Sequence, residues 1–243
     1  MNMIKTIAPL AAALALGAVA SARGEAGGAL DSGTPIDTRW AATPQFAALK
    51  AVGPDNVRFT TGERWQVRAE GDPRTLARLR FVIRDGQLTI GRKSGERTEL
   101  RPATIYVIAP SLHRATIGGS GSLAIDRLSG KKVSAAVAGS GGMTIEHVSA
   151  GALDASIAGS GDLALSGRSD VANLSIAGSG ALKGGGLTVG AAETSIAGSG
   201  SMAFRSDGKV TASIAGSGSV AVRGRAECSR LSRVGSGTLI CIT

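Results

Sequence analysis

Histidine and aromatic side chains are scarce in this 243-residue chain, and their scarcity excludes several kinds of site. Its two histidines, His113 and His147, have no partner at the spacing of a metal site or a catalytic triad. Aromatic residues make up 3% of the chain, and no stripe of them is present to stack on nucleic-acid bases. We therefore expect no cofactor, no metal site and no nucleic-acid partner.

Long apolar runs are also lacking, except for one at the N-terminus. A basic residue, Lys5, precedes an apolar run over residues 7–20, and small residues at Ala20 and Ala22 offer cleavage sites. This order is typical of a secretory signal peptide over residues 1–22, with an uncleaved N-terminal anchor as the alternative. No later stretch approaches the length of a membrane span, so we expect no transmembrane segment in the mature chain.

Glycine, by contrast, is abundant, and much of it recurs in one Gly-Ser-Gly triplet. Seven copies recur at a period of 18 to 20 residues. They begin at Gly119, Gly139, Gly159, Gly178, Gly198, Gly216 and Gly235. A fixed period of this length is the signature of a repeat architecture. The serine is not a candidate nucleophile, because seven identical nucleophiles make no catalytic sense and the spacing of a nucleophile elbow is absent.

Apolar residues keep a constant position around the triplets. In the copy at Gly159, Ile157 stands two residues before the triplet, and Leu163 and Leu165 stand two and four residues after it. Alternation of this kind places the apolar side chains on one face of a strand. One strand-corner-strand unit cannot bury that face alone, whereas a column of units can. The repeat therefore predicts an all-β fold, a right-handed parallel β-helix with rungs of about 20 residues and glycines at the corners.

The front half of the chain has a different pattern, because it holds most of the aromatic residues and its strands alternate irregularly. Asp85-Gly86 separates the alternating runs 76–84 and 87–90, which predicts a β-hairpin. A solenoid needs such atypical ends to protect its open edges. The predicted division is a flexible leader at 23–40, irregular capping strands at 41–110 and repeats at 111–243, the last two forming one domain, 41–243.

The two cysteines of the chain, Cys228 and Cys241, flank the last triplet with twelve residues between them. In an oxidising compartment we expect them to form a disulfide that staples the final rung. Free thiols are the alternative.

The order of these features resembles one family, DUF2807, the "putative auto-transporter adhesin, head GIN domain". The resemblance covers nearly all of the mature chain. It rests on the segments 46–52, 57–59, 65–67, 88–90 and 105–112, followed by the serial triplets. It implies an exported β-helical envelope domain of bacterial type. Only residues 238–243 follow the last triplet, which leaves no strands for an outer-membrane barrel, so we expect the chain in the periplasm or attached to the cell surface, with full secretion to the extracellular space by another route as the alternative.

The chain is basic, with a formal net charge of +9. Arg78, Arg80 and Arg84 alternate with apolar residues and are predicted to project from one strand face. Such a patch suits the phosphate or carboxylate groups of envelope lipids or polysaccharides. A basic face that only solvates the domain and protects a sheet edge is the alternative.

Carboxylates are scattered through the repeats, and some β-helix enzymes use such residues to cleave polysaccharides. They are Asp126, Glu146, Asp154, Asp162, Asp170, Glu193 and Asp207. Their offsets from the triplet vary, so they predict no single catalytic column and are better interpreted as solvated turn residues.

The function that these observations favour is that of an exported, adhesin-like module of the cell envelope or cell surface, non-enzymatic and with an unknown ligand. Envelope polysaccharide and lipid headgroups are the expected partners. A polysaccharide-active enzyme and a purely structural or self-assembling envelope protein are the alternatives. The sequence leaves the oligomeric state open.

Overall fold

A computed structural model describes residues 29–95 and 100–242 of the chain. The predicted signal peptide, residues 1–22, lies outside the described residues. The N-terminal strands are β1 (Thr34–Pro35), β2 (Ala41–Ala42), β3 (Ala48–Gly53), β4 (Asn56–Thr61), β5 (Gln66–Glu70), β6 (Leu79–Arg84), β7 (Gln87–Arg92), β8 (Thr104–Ala109) and β9 (Arg114–Gly119), with a short helix α1 (Pro73–Leu76). The later strands are β10 (Ser122–Gly139), β11 (Gly142–Gly159), β12 (Asp162–Gly178), β13 (Ala181–Gly198), β14 (Ser201–Ser206), β15 (Lys209–Gly216), β16 (Ser219–Arg223), β17 (Glu227–Val234) and β18 (Thr238–Ile242).

The repeats form a parallel β-solenoid of about six turns, which confirms the predicted fold. Strands β10 to β13 each contain most of one rung and pair in parallel with the next rung. The register shift is one repeat, so that Leu123 pairs with Met143 and Met143 with Leu163. The period of about 20 residues read from the triplets is therefore the length of one turn.

Two sides of each rung flank the triplet. We call the segment before the triplet side A, which is 132–139 in β10, and the segment after it side B, which is 122–126. Alternate residues on both sides point inward and are buried, such as Val137 on side A and Leu123 on side B. Stacking in register turns each inward position into a ladder of aliphatic side chains, each stabilising the fold by about 1.5–3 kcal/mol when fully buried.

One rung has a glycine where other rungs have a large inward side chain, and its neighbour shows how the core fills the space. Gly184 occupies an inward position that holds a large residue in other rungs, and it pairs with Phe204 of the next rung. A Cβ atom added to Gly184 would lie 3.2 Å from the Cβ atom of Phe204. Phe204 is fully buried, so the one phenylalanine in the sequence of the repeats packs beside an inward glycine. Volume is thus conserved between neighbouring rungs, as a close-packed core requires.

The corners explain why each triplet begins with glycine. Gly159 has φ +124°, and a Cβ atom there would lie 2.5 Å from the carbonyl oxygen of Gly139 in the preceding rung. That oxygen accepts hydrogen bonds from the backbone N–H groups of Ser160 and Gly161, both at 3.0 Å. Only glycine tolerates both this backbone conformation and this close approach. The Ser160 side chain is exposed, so the middle position carries no such constraint.

We predict that Gly159→Ala lowers the free energy of unfolding by about 2 kcal/mol or more, because it adds backbone strain and a steric overlap with Gly139. Ser160→Ala, one residue away, changes it by less than about 0.5 kcal/mol. Urea unfolding followed by circular dichroism measures both values. Equal effects of the two substitutions would contradict this account of the corner.

Antiparallel strands close the N-terminal end of the solenoid. On side A, β6 pairs antiparallel with β7 and β1 with β6; on side B, β5 pairs antiparallel with β8 and β2 with β5. The outermost strands are two residues long, and β1 contains Pro35, which has no N–H group to offer a further strand. The predicted hairpin at Asp85-Gly86 is confirmed, since both residues have positive φ between β6 and β7.

Two expectations for this end are wrong. The leader predicted to be flexible packs on the domain over its described part, residues 29–40: Leu30 and Ile36 are buried, and Leu30 fills the space beside Gly91. Two isolated apolar residues gave no periodic signal in the sequence. The strand predicted to begin at residue 76 begins at Leu79, because Asp72 caps a helical turn by accepting a hydrogen bond from the Arg74 N–H group at 2.8 Å.

The last rung carries the two cysteines on different sides. Cys228 lies in β17 on side A and Cys241 in β18 on side B, and a disulfide joins them with a Cα–Cα distance of 6.6 Å.

Within the described residues, no helix has the length and hydropathy needed to cross a membrane.

We predict that neither cysteine reacts with a thiol reagent when the native chain is unfolded without reductant, and that both react after reduction. Replacing both by serine removes the cross-link from the unfolded state, so the free energy of unfolding falls by about 3 kcal/mol. Thiol labelling followed by mass spectrometry, together with urea unfolding, provides the measurement. Two labelled thiols in the unreduced protein would show that the bridge is absent.

Candidate functional site

Outward-facing residues form straight rows along the rod, because equivalent positions stack once per rung at about 4.8 Å. One row on side B runs through nine strands, from β8 at the N-terminal end to β18 at the other end. In order, its members are Tyr106, Arg58, Ala124, Thr144, Ala164, Lys183, Ala203, Ala221 and Ile240. The middle of the row is small except for Lys183, and its two ends are large.

At the N-terminal end of this row, polar aromatic and charged residues gather in what we call the aromatic-arginine cluster: Trp40, Arg58, Arg68, Glu70 and Tyr106. The Arg68 Cζ atom lies 5.0 Å from the ring centroid of Trp40 and 4.4 Å from that of Tyr106. Arg68 also forms a salt bridge with Glu70, and the Tyr106 hydroxyl donates to Glu70 Oε2 at 3.1 Å. Strand pairing sets this arrangement, since Tyr106 lies between Arg68 of β5 and Arg58 of β4.

The cluster combines a fixed aromatic surface with an uncompensated charge. Trp40 is 41% exposed, and among the described residues it is the exposed large aromatic side chain. Glu70 neutralises Arg68, whereas Arg58 is exposed and has no ion-pair partner in the described part of the chain. Trp, Tyr and Arg are the residues that dominate binding energy at protein interfaces, because they combine large contact area with hydrogen-bonding groups. The cluster is therefore equipped to bind a ligand that offers both apolar and polar surface.

Side A presents a flatter and more neutral surface. One outward row contains serines in four successive rungs, and the neighbouring row contains alanines at the matching positions. They are Ser156, Ser175, Ser195 and Ser213, beside Ala158, Ala177, Ala197 and Ala215. This surface has hydroxyl groups at a regular spacing and no large side chain to anchor a ligand.

On side A, Asp154 makes polar contacts with both neighbouring rungs, diagonally with Lys132 and within its own row with Asn173. Lys132 Nζ lies 2.8 Å from Asp154 Oδ2, and Asn173 Nδ2 donates to Asp154 Oδ1 at 3.0 Å. Partial burial acts to raise the pKa of Asp154, but the hydrogen bonds from Lys132 and Asn173 outweigh it and leave that pKa below its ordinary value. The polar contacts here join rungs to one another.

The three arginines predicted to form a patch have different surroundings. Arg78 precedes β6, and its Nη2 donates to the Lys93 carbonyl oxygen at 2.8 Å. Arg80 Nη1 donates to the carbonyl oxygens of Ala77 and Leu79, at 3.0 and 2.7 Å. Arg84 is exposed at the hairpin. Guanidinium N–H groups of Arg78 and Arg80 are therefore already engaged by backbone carbonyl oxygens. Polyanion binding by this patch stays a prediction, and it depends most on Arg84.

Several carboxylates of the repeats form hydrogen bonds or ion pairs with neighbouring polar groups. Asp126 accepts hydrogen bonds from the backbone and hydroxyl of Thr61, and Asp162 pairs with Lys183 Nζ at 2.6 Å. Asp154 and Glu193 share a row but lie two rungs apart, whereas Asp126 and Glu146 hold matching positions on neighbouring rungs. The two histidines, His113 and His147, are both exposed. Over residues 29–95 and 100–242, no group of three His, Cys, Asp or Glu residues is placed to hold a metal ion.

Residues 45–226 match the model of the family described as "Putative auto-transporter adhesin, head GIN domain". The chain belongs to this family. The resemblance read from its sequence motifs is thereby confirmed. No protein of curated function matches the chain.

Several solved structures have a similar fold. A putative adhesin from Bacteroides fragilis has a TM-score of 0.77 at 22% identity, with 84% of this chain and 95% of that chain covered. A putative lipid binding protein from Parabacteroides distasonis has a TM-score of 0.67 at 23% identity, with coverage of 87% and 98%. A putative adhesin from Parabacteroides merdae has a TM-score of 0.68 at 19% identity, with coverage of 84% and 95%. At these identities, the likeness shows a shared fold.

The aromatic-arginine cluster is not among the sites predicted from the sequence. Trp40 falls in the segment interpreted as a leader, and the strands that hold Arg68 and Tyr106 are almost 40 residues apart and pair antiparallel. A usable signal was nevertheless present in the sequence. The outward positions of β5 and β8 include Arg, Glu and Tyr, whereas the outward positions of the repeats are mostly Ser, Ala and Thr.

Proposed function

We propose that this chain is an exported, non-enzymatic interaction module of the cell envelope or cell surface that binds envelope polysaccharide through side B. The observation that carries the proposal is the aromatic-arginine cluster, in which exposed Trp40 and half-buried Tyr106 are held by Arg68. Aromatic rings stack on the apolar faces of sugar rings, and the adjacent Arg58 and Glu70 can hydrogen-bond hydroxyl or carboxylate groups. The membership in an adhesin-like family supports the same role.

The form of the rod also supports a polymeric ligand. The row that continues from the cluster offers a small or polar side chain on each rung, at a constant spacing of about 4.8 Å. A polymer lying along side B would make weak contacts with several rungs at once, and linked weak contacts add to a high overall affinity. The cluster would then anchor the polymer, and the small residues of the row would leave room for it to lie close to the rod.

Export is supported by the pairing of Cys228 with Cys241, since structural disulfides persist in oxidising compartments. The N-terminal signal pattern points the same way. The positive net charge also suits anionic lipid headgroups, and the Parabacteroides distasonis neighbour is described as a putative lipid binding protein.

We expect cell fractionation to place the protein outside the cytoplasm, with the N-terminal segment removed after Ala20 or Ala22. Immunoblotting of cytoplasmic, periplasmic, membrane and medium fractions, with N-terminal sequencing of the recovered chain, provides the test. A full-length chain confined to the cytoplasm would overturn the proposed location.

We expect the purified protein to be retained on at least one immobilised envelope polymer, such as lipopolysaccharide or peptidoglycan. Trp40→Ala should weaken that binding by about tenfold or more, as truncation of an interface anchor does. Arg58→Ser should reduce the binding at low salt more than at high salt, because exposed charges are screened.

Val171→Ala provides the matched control, since Val171 is another exposed apolar residue, 48% accessible, in the middle of the rod. It should change the affinity by less than twofold. No retention of the wild-type protein on any polymer, or equal binding by Trp40→Ala, would overturn the proposal. Release of soluble sugar would instead favour a polysaccharide-active enzyme.

A further inference from the structure

The two ends of the rod are built differently. Antiparallel strands close the N-terminal end, whereas β17 and β18 at the other end each have one paired neighbour among the described residues. The last rung also exposes aliphatic side chains: Val234 is 70% exposed, Ile240 51% and Ile242 47%. Within residues 29–95 and 100–242, these are three of the five exposed large hydrophobic residues, and they flank one corner. Such a concentration of exposed apolar surface marks an interaction site.

Positive charge is concentrated at the same end. Residues 201–243 contain six basic and two acidic residues, a net charge of +4, whereas residues 111–200 contain six of each and are neutral. The basic excess of the repeats therefore belongs to the last rungs alone.

Two of the basic residues, both arginines, place part of this positive charge on one outward row. Arg205 and Arg223 occupy neighbouring rungs of one outward row, and Ile242 is the next member of that row. Both arginines are exposed and have no ion-pair partner among the described residues. Elsewhere, opposite charges on neighbouring rungs form ion pairs diagonally, as Lys183 does with Asp162. Like charges at adjacent positions of a sheet repel each other, so this row favours an anion that lies against both.

We infer that this end of the rod docks on an anionic lipid surface. We call the docking surface the C-terminal tip and define it by Arg205, Arg223, Val234, Ile240 and Ile242. Aliphatic side chains beside unpaired arginines are the combination that binds a membrane interface, where the apolar groups enter the headgroup region and the guanidinium groups bind lipid phosphates.

A second copy of the chain fits the C-terminal tip less well. Two tips related by a two-fold axis would bring the rows of Arg205 and Arg223 of both copies together, with the same sign of charge. Head-to-tail stacking is opposed by the closed N-terminal end, where Pro35 lies in the outermost strand of side A. Neither objection applies to anionic lipid.

This inference rests on the proposed envelope location and on the lipid class of partner, but not on polysaccharide binding. The aromatic-arginine cluster lies at the opposite end of the rod from the C-terminal tip. Vesicle binding and polysaccharide retention can therefore each succeed or fail alone.

The test is co-sedimentation of the oxidised mature protein, without the N-terminal signal segment 1–22, with vesicles of phosphatidylcholine containing 30% phosphatidylglycerol. We expect binding to these vesicles, and at least tenfold weaker binding to vesicles of phosphatidylcholine alone. The Arg205→Ser, Arg223→Ser double variant should bind the anionic vesicles about tenfold more weakly, because each arginine near an anionic surface contributes separately. Inorganic phosphate at the concentration of the lipid phosphates should compete poorly, which distinguishes a lipid surface from a free anion.

The matched control is the Arg127→Ser, Arg168→Ser double variant, which removes two exposed, unpaired charges from the middle of the rod. It should bind within twofold of the wild type. Ile240→Ser with Ile242→Ser should weaken binding at high salt as well as at low salt, since its contribution is apolar. Thermal unfolding checks that all variants remain folded.

Three results would overturn the inference. They are no binding of the wild type to anionic vesicles, equal losses in the tip and mid-rod arginine variants, and a concentration-dependent dimer that the isoleucine variant abolishes while vesicle binding persists unchanged. The last result would assign the exposed aliphatic residues to a second copy of the chain.

Discussion

The solenoid depends on one backbone interaction at each corner. The carbonyl oxygen of the first glycine in a triplet accepts one or two N–H groups from the triplet of the next rung, and Gly139 accepts two, from Ser160 and Gly161. The two backbones approach so closely that a Cβ atom would not fit between them. The corner is therefore stabilised by hydrogen bonds and also restricted to glycine by steric exclusion. Each corner fixes the register of the next rung, and a slip by one residue would turn the aliphatic ladders outward.

Fixed register has a functional consequence on the outer surface. Because every rung begins at the same corner, an outward residue on one rung lies directly beside its equivalents on the neighbouring rungs. The rows of outward residues therefore determine what the surface can bind. A substitution in such a row alters one surface position without disturbing the core. The small residues of the central rungs and the large ones at the ends, such as Tyr106 and Ile240, differ only in what they present to a partner.

The sequence predicts the repeats well and the ends poorly, for a physical reason. The repeats owe their structure to local alternation and to a corner that needs glycine, and both are visible at a fixed period around residues such as Ile157 and Gly159. The N-terminal cap depends on antiparallel pairs and isolated contacts, such as Leu30 beside Gly91, which leave no period. Alternation placed arginines near β6, but it carried no information that Arg80 bonds backbone carbonyls.

The two proposed surfaces are geometrically compatible in one molecule. Eight rung spacings of about 4.8 Å separate Tyr106 from Ile240 along side B, a distance of roughly 40 Å. A rod standing on an anionic bilayer by its C-terminal tip would hold the aromatic-arginine cluster at that height, beyond the Debye length of the lipid charge. Arg58 would then be free to attract an anionic polymer, because the membrane field that binds Arg223 is screened at the cluster.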